Sequence, residues 1–79
     1  MEKALITTKQ LLEKLQKKPN NEYECRRHLG GILFSTHWFI YNPQKKLFGD
    51  SSNWFHYDGW YSENEFLECY ANSWWDYYE

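Results

Sequence analysis

The side chains able to do chemistry in this chain of 79 residues are two cysteines, three histidines and eleven carboxylates, and their spacing limits what they offer. A nucleophilic cysteine needs an imidazole brought to it in space. Cys25 and His28 lie three apart in a stretch that alternates as a strand does, which sends them to opposite faces. Cys69 falls between the apolar positions Leu67 and Tyr70 of a helical pattern and reads as a space-filling thiol. The candidate metal ligands are Cys25, His28, His37, His56 and Cys69. None of them is spaced as Cys-x-x-Cys or His-x-x-x-His, so no metal and no cofactor are expected. General acid–base work needs two carboxylates in contrasting environments around a cleft. Asp50, Asp58, Glu63, Glu65 and Glu68 fall in turns or on the wet face of a helix, where carboxylates are simply solvated. Gly30-Gly31 lacks the lysine and the following helix of a phosphate-binding loop. These patterns lead to the expectation that the protein is not an enzyme.

Binding is then the chemistry to weigh. Arg26, Arg27, Lys45 and Lys46 stand beside aromatic residues, an arrangement with which sheet-type proteins stack bases. The formal net charge of −2 and an acidic last third oppose a phosphate backbone, so direct nucleic-acid binding is not expected. Residues 1–49 carry nine basic and four acidic side chains, whereas residues 50–79 carry seven acidic and none basic. The same final stretch holds eleven of the seventeen aromatic residues. A small domain buries only a limited number of large side chains. Trp38, Phe34, Phe39, Ile32, Ile40, Leu47, Leu11, Leu12, Leu15, Phe66, Leu67, Tyr70 and Trp74 are expected to fill this core. Trp54, Phe55, Tyr57, Trp60, Trp75, Tyr77 and Tyr78 are in excess. Exposed rings beside fixed carboxylates make an interface centre, with the charges steering a basic partner and the rings holding it. The expected partner-binding set is Asp50, Trp54, Asp58, Trp60, Glu63, Glu65, Glu68 and Asp76.

The elements that position these residues follow from local signals. Thr7 with Gln10, and Ser62 with Glu65, are capping boxes that start two helices, and Ile6/Leu11 and Tyr61/Phe66 are spaced as the matching hydrophobic staples. Leu11, Leu12 and Leu15 stripe the first helix, which Pro19 ends. Phe66, Leu67, Tyr70, Ala71 and Trp74 stripe the second, which gives way around Ser73 to Trp75 to an edge strand or a frayed end. Between the helices, Tyr23–Leu29 reads as a half-exposed strand, and Ile32–Tyr41 as a central strand covered on both faces. Lys46–Phe48 starts a return strand, Gly49–Asn53 breaks it, Trp54–Tyr57 resumes it, and Asp58-Gly59 closes it with a turn. The expected fold is α+β, a single two-layer domain spanning 1–79. It has a small antiparallel sheet of three to four strands and two helices, in the order α-β-β-β-α. Met1–Ile6 has no long apolar run and no stretch approaches a membrane span, so a cytoplasmic setting with free thiols is expected.

A chain of this size and charge layout, with a capped acidic helix running into Trp-Trp-Asp-Tyr-Tyr-Glu, resembles the small α+β proteins encoded by bacteriophages. Within that group it is similar in style to the anti-CRISPR and other anti-defence proteins. The resemblance implies a single domain that inhibits by binding and acts in the host bacterial cytoplasm. It also implies a protein partner with a basic surface, a CRISPR effector or another nuclease. The basic residues of 1–49 depart from the fully acidic nucleic-acid mimics and leave a one-sided acidic patch. Two other functions fit the same residues. One is a nucleotide-type small-molecule sponge, with aromatic rings stacking a base and Arg26 and Arg27 holding its phosphate. The other is a structural or adaptor subunit of a phage or bacterial assembly.

Overall fold

The chain forms β1 (Ile6–Thr7), α1 (Thr8–Lys17), β2 (Tyr23–Leu29), β3 (Ile32–Asn42), β4 (Leu47–Ser51), β5 (Gly59–Tyr61), α2 (Glu63–Cys69) and β6 (Trp74–Tyr78). This computed structural model describes residues 5–51 and 59–78. Both helices start where their capping boxes put them. Thr7 Oγ1 accepts from the Gln10 N–H at 3.2 Å while Gln10 Oε1 accepts from the Thr7 N–H at 2.9 Å. Ser62 and Glu65 repeat the exchange at 3.3 and 2.9 Å. Each box satisfies two backbone groups that a helix start otherwise leaves without partners. The second staple also forms, with the Tyr61 and Phe66 ring centroids 6.4 Å apart.

The sheet corrects the expected architecture. Among the described residues it has six strands, all pairs antiparallel, in the order β1-β6-β2-β3-β4-β5. The protein is therefore mostly sheet with two short helices, and not a three- to four-stranded sheet in the order α-β-β-β-α. The C-terminal stretch is no frayed end or edge. β6 inserts between β1 and β2, with Arg27 opposite Trp75 and Glu24 opposite Tyr78. The two residues before the first cap form the short β1, with Ile6 opposite Trp75. Gly49-Asp50-Ser51 does not break β4 but completes it, and Gly59 opens β5 rather than closing a turn. The expected strand Trp54–Tyr57 lies outside the described residues.

Strand alternation assigns the faces. Tyr23, Cys25, Phe39, Phe48 and Trp75 point to the helices, where they join Leu11, Leu12, Leu15, Phe66 and Tyr70 in one buried cluster. Trp75 is fully buried and Trp74 is 47% exposed, the reverse of the helical expectation. The cause is the change of period. A helix running on through Ser73 places Trp74 in line with Phe66 and Tyr70, whereas a strand turns Trp75 inward.

β3 is interior in the sheet, but its first residues are not covered. Ile32, Leu33 and Phe34 are exposed, although the sequence pattern placed Ile32 and Phe34 in the core. Among the described residues the β2–β3 hairpin outruns its neighbours, with β6 paired only as far as His28 and β4 only as far as Trp38. Gly30 and Gly31 make the hairpin turn with φ of 58° and 82°, a backbone that side chains with a Cβ rarely adopt. A register shift between Arg27 and His28 leaves Phe34 as the extra residue of a bulge. At the other end Asn42 Oδ1 accepts from the N–H groups of Gln44 and Lys45 and shapes the β3–β4 turn. No helix among the described residues is long and apolar enough to cross a membrane.

Candidate functional site

The expected partner-binding residues separate into three groups. Trp60, Glu63, Glu65 and Glu68 follow one another along the chain where the edge strand β5 leads into α2. Trp60 sits opposite Gly49 on the face away from the helices and is 43% exposed. Its neighbour Tyr61 turns inward to Phe66, so the chain wraps the sheet edge with the indole outside. Glu63, Glu65 and Glu68 are all exposed on α2. Glu63 and Glu65 lie in the first turn, where the helix dipole favours negative charge. The hydrogen bonds that Glu65 accepts from the Ser62 backbone and side chain hold its carboxyl below the usual range. Among the described residues, none of these three carboxylates pairs with a cation. Trp54 and Asp58 lie outside the described residues.

Asp50 and Asp76 stand elsewhere. Asp76 is half-buried on β6, opposite Arg26, with three strands between it and β5. Asp50 is drawn inside and is 8% exposed. It accepts from the Tyr70 hydroxyl on Oδ2 and from His37 on Oδ1 at 3.0 Å. His37 Nε2 in turn lies 2.8 Å from Ser35 Oγ. The imidazole stacks on Phe39 with ring centroids 5.5 Å apart and meets Tyr70 and Trp75 edge-on. Next to this line the Trp75 Nε1–H donates to Thr8 Oγ1, and the Thr8 hydroxyl donates to the Tyr70 carbonyl. The network satisfies polar groups that are costly to bury alone.

Of this cluster the sequence pattern did not bring Ser35 forward, and it offered His37 only as a candidate metal ligand and Tyr70 only as a core residue. The one available signal was the spacing of Ser35 and His37, two apart and hence on one face of a strand. Arg26 and Arg27, neighbours on β2, point to opposite faces and so do not converge on one phosphate. Arg27 lies on the helix side. Its Nε–H donates to Ser73 Oγ at 2.8 Å, and its guanidinium carbon is 5.2 Å from the Phe34 ring centroid and 4.9 Å from that of Tyr70. Cys25 is buried and Cys69 exposed, both unbridged.

Two buried groups carry a pH dependence. Burial, and then the carboxylates of Asp50, Glu24 and Asp76, push the Cys25 thiol far above its ordinary value. Burial also pushes the Tyr70 phenol up, and its hydrogen bond to Asp50 adds to the shift. The folded protein therefore keeps both protons at a pH where the unfolded chain has lost them. This contribution to stability is fully present at neutral pH and is lost as pH rises above about 9, where free thiols and then phenols ionise. Urea midpoints are expected to fall above that pH, with Cys25 alone contributing a slope of about 1.4 kcal/mol per pH unit. Cys25→Ala should make the fall shallower, and an unchanged slope in that variant would assign the effect elsewhere.

Compared with protein-family models, with curated proteins and with solved structures, the chain matches none.

Proposed function

We propose that the protein is a binding protein that inhibits a larger nucleic-acid-handling effector by docking the β5–α2 edge into a basic groove. The observation that carries this reading is the exposure of Glu63, Glu65 and Glu68 on one short helix, which follows the half-exposed Trp60 across the sheet edge. Desolvated indole and fixed negative charge are the two ingredients of a hot spot with steering around it. The capping box holds α2 rigid at its start, so little conformational freedom is lost there on docking. The anti-defence resemblance points to an RNA-guided nuclease as the partner class. Asp50, engaged inside by Tyr70 and His37, is not part of the proposed surface.

The test is cleavage of matched DNA by a panel of bacterial RNA-guided nucleases, with and without the protein. Inhibition by the wild type is expected, weakening as salt rises because the attraction is screened. The decisive variant combines Glu63→Lys, Glu65→Gln and Glu68→Lys. Glutamine at 65 keeps the side chain that reaches back to Ser62, so the helix start survives. Affinity should fall about 100-fold or more, since like charges facing across an interface cost several kcal/mol. Full potency in a folded triple variant, or no inhibition of any nuclease by the wild type, would sink the reading.

A further inference from the structure

Ser35, His37 and Asp50 form a line on the helix-side face of β3 and β4. Ser35 Oγ is 2.8 Å from His37 Nε2, and His37 Nδ1 is 3.0 Å from Asp50 Oδ1. A carboxylate only accepts, so Nδ1 carries a ring hydrogen, and in the tautomer protonated there alone the Nε2 lone pair faces the Ser35 hydroxyl. Tyr70 donates to the other Asp50 oxygen and so fixes the carboxylate from a second side. Nucleophile, base and orienting group thus stand in the order and polarity that acyl transfer requires, and such a triad is defined by geometry and not by chain order.

Two more features go beyond core packing. The half-buried Ser35 hydroxyl is the one hydrogen-bond partner of His37 Nε2 among the described residues. The His37 and Asp50 side chains keep 15% and 11% of their surface accessible, so the line is not sealed off. Arg27 is directly opposite Ser35 in the β2–β3 ladder, on the same face. Its Nε–H bond to Ser73 and its stacking on Phe34 and Tyr70 hold the guanidinium in place. Among the described residues its terminal N–H groups have no hydrogen-bond acceptor. A fixed cation beside a nucleophile is placed to stabilise the negative oxygen that forms when a carbonyl is attacked.

We propose that Ser35 is a nucleophile for acyl transfer, with His37 as general base, Asp50 as the group that orients it and Arg27 as the oxyanion partner, and that the site cleaves short activated carboxylic esters. Ser35 Oγ bonds to the ester carbonyl carbon as its hydroxyl proton passes to His37 Nε2. The carbon–oxygen bond to the alcohol breaks, and the leaving oxygen takes that proton. Water then loses a proton to Nε2 and attacks the acyl-serine. Ser35 Oγ leaves, is reprotonated by His37, and the carboxylic acid is released. The sum is ester plus water to acid plus alcohol.

The proposal does not depend on the docking surface, and its test is separate. The background is Cys69→Ser, because the exposed thiol reacts with activated esters by itself. That protein is treated with a fluorophosphonate, whose fluoride leaves as the serine oxygen bonds to phosphorus, and separately with p-nitrophenyl acetate. One phosphonyl adduct is expected, mapped by peptide mass to Ser35, together with ester turnover that Ser35→Ala abolishes. His37→Gln should slow adduct formation by about 100-fold or more, the usual contribution of a general base. Three results overturn the proposal: no adduct at Ser35, parental turnover in Ser35→Ala, or parental labelling in a folded His37→Gln. Should His37→Gln not fold, the Ser35→Ala comparison decides alone, because that change removes one half-buried hydroxyl and leaves the bonds of Asp50 to Tyr70 and His37 in place.

Discussion

Trp75→Ala is expected to remove about 3–5 kcal/mol of folding stability, the range for deleting a large buried aromatic side chain. A domain of this length has a total of roughly 4–12 kcal/mol at the usual stability per residue, so the variant should be mostly unfolded or close to it. The side chain is fully buried and central to the aromatic cluster, with ring centroids 5.1 Å from Phe39 and 5.3 Å from Tyr70. Its Nε1–H also holds the Thr8 hydroxyl at 2.9 Å, which ties β6 to the first turn of α1. Truncation opens a cavity among residues from β3, α1 and the turn after α2 that cannot all close on it. Trp74→Ala, one position away on the exposed face, should cost below about 1 kcal/mol. Urea midpoints of the two variants give the comparison. Equal losses would mean that the C-terminal stretch is not paired as a strand in this register.

The two tryptophans mark the limit of what the sequence made legible. The helix starts were readable because a capping box is complete within four residues, and both formed. β6 was not readable because Phe66, Leu67, Tyr70, Ala71 and Trp74 keep a helical period across the true boundary. The helix stops without a glycine, and Asn72 with φ of 66° takes the left-handed turn instead. What then decides the fate of 74–78 is pairing with 24–28, a contact between stretches fifty residues apart that no local window contains. Long apolar runs misled for a related reason. Ile32–Tyr41 reads as covered, but cover depends on how far the neighbouring strands extend, and among the described residues they stop short of the hairpin tip.

The candidate site was legible in the same proportion. Exposure of Glu63, Glu65 and Glu68 follows from a helix whose buried position is Phe66, so the acidic edge could be placed from spacing alone. Asp50 could not. In Gly49-Asp50-Ser51 it looks like a solvated turn carboxylate, and only the pairing of β4 with β3, Asp50 opposite Phe39, turns it to the core. Once inside, it needs donors, and His37 and Tyr70 supply them from β3 and from the residue that follows α2. The partly buried line of polar residues is thus a product of register, and the exposed acidic edge a product of local periodicity.

Asp50→Ala should therefore be the second most damaging change, for a reason opposite to that of Trp75→Ala. The volume lost is small, but two donors, the buried Tyr70 hydroxyl and the half-buried His37 Nδ1–H, lose their shared acceptor. Each such loss costs about 1–3 kcal/mol, giving a total of roughly 2–6 kcal/mol if water does not enter to replace the carboxylate. Asp50→Asn keeps one carbonyl oxygen and turns an N–H group towards the other donor. It should recover stability only in part, because one donor still faces a donor. A hydrophobic-size explanation makes the other ordering, since Asn and Asp have nearly the same volume and Asn should then behave as wild type. Paired with Tyr70→Phe, the series also apportions the network. If Asp50 and Tyr70 act through one bond, the double variant Asp50→Asn with Tyr70→Phe costs less than the sum of the two single changes, and strict additivity would show that the bond contributes nothing to folding. The same Asp50→Asn protein carries a readout that stability does not supply. Without the carboxylate, Nδ1–H is no longer the favoured tautomer of His37, and phosphonylation at Ser35 should slow even at temperatures where the variant is fully folded.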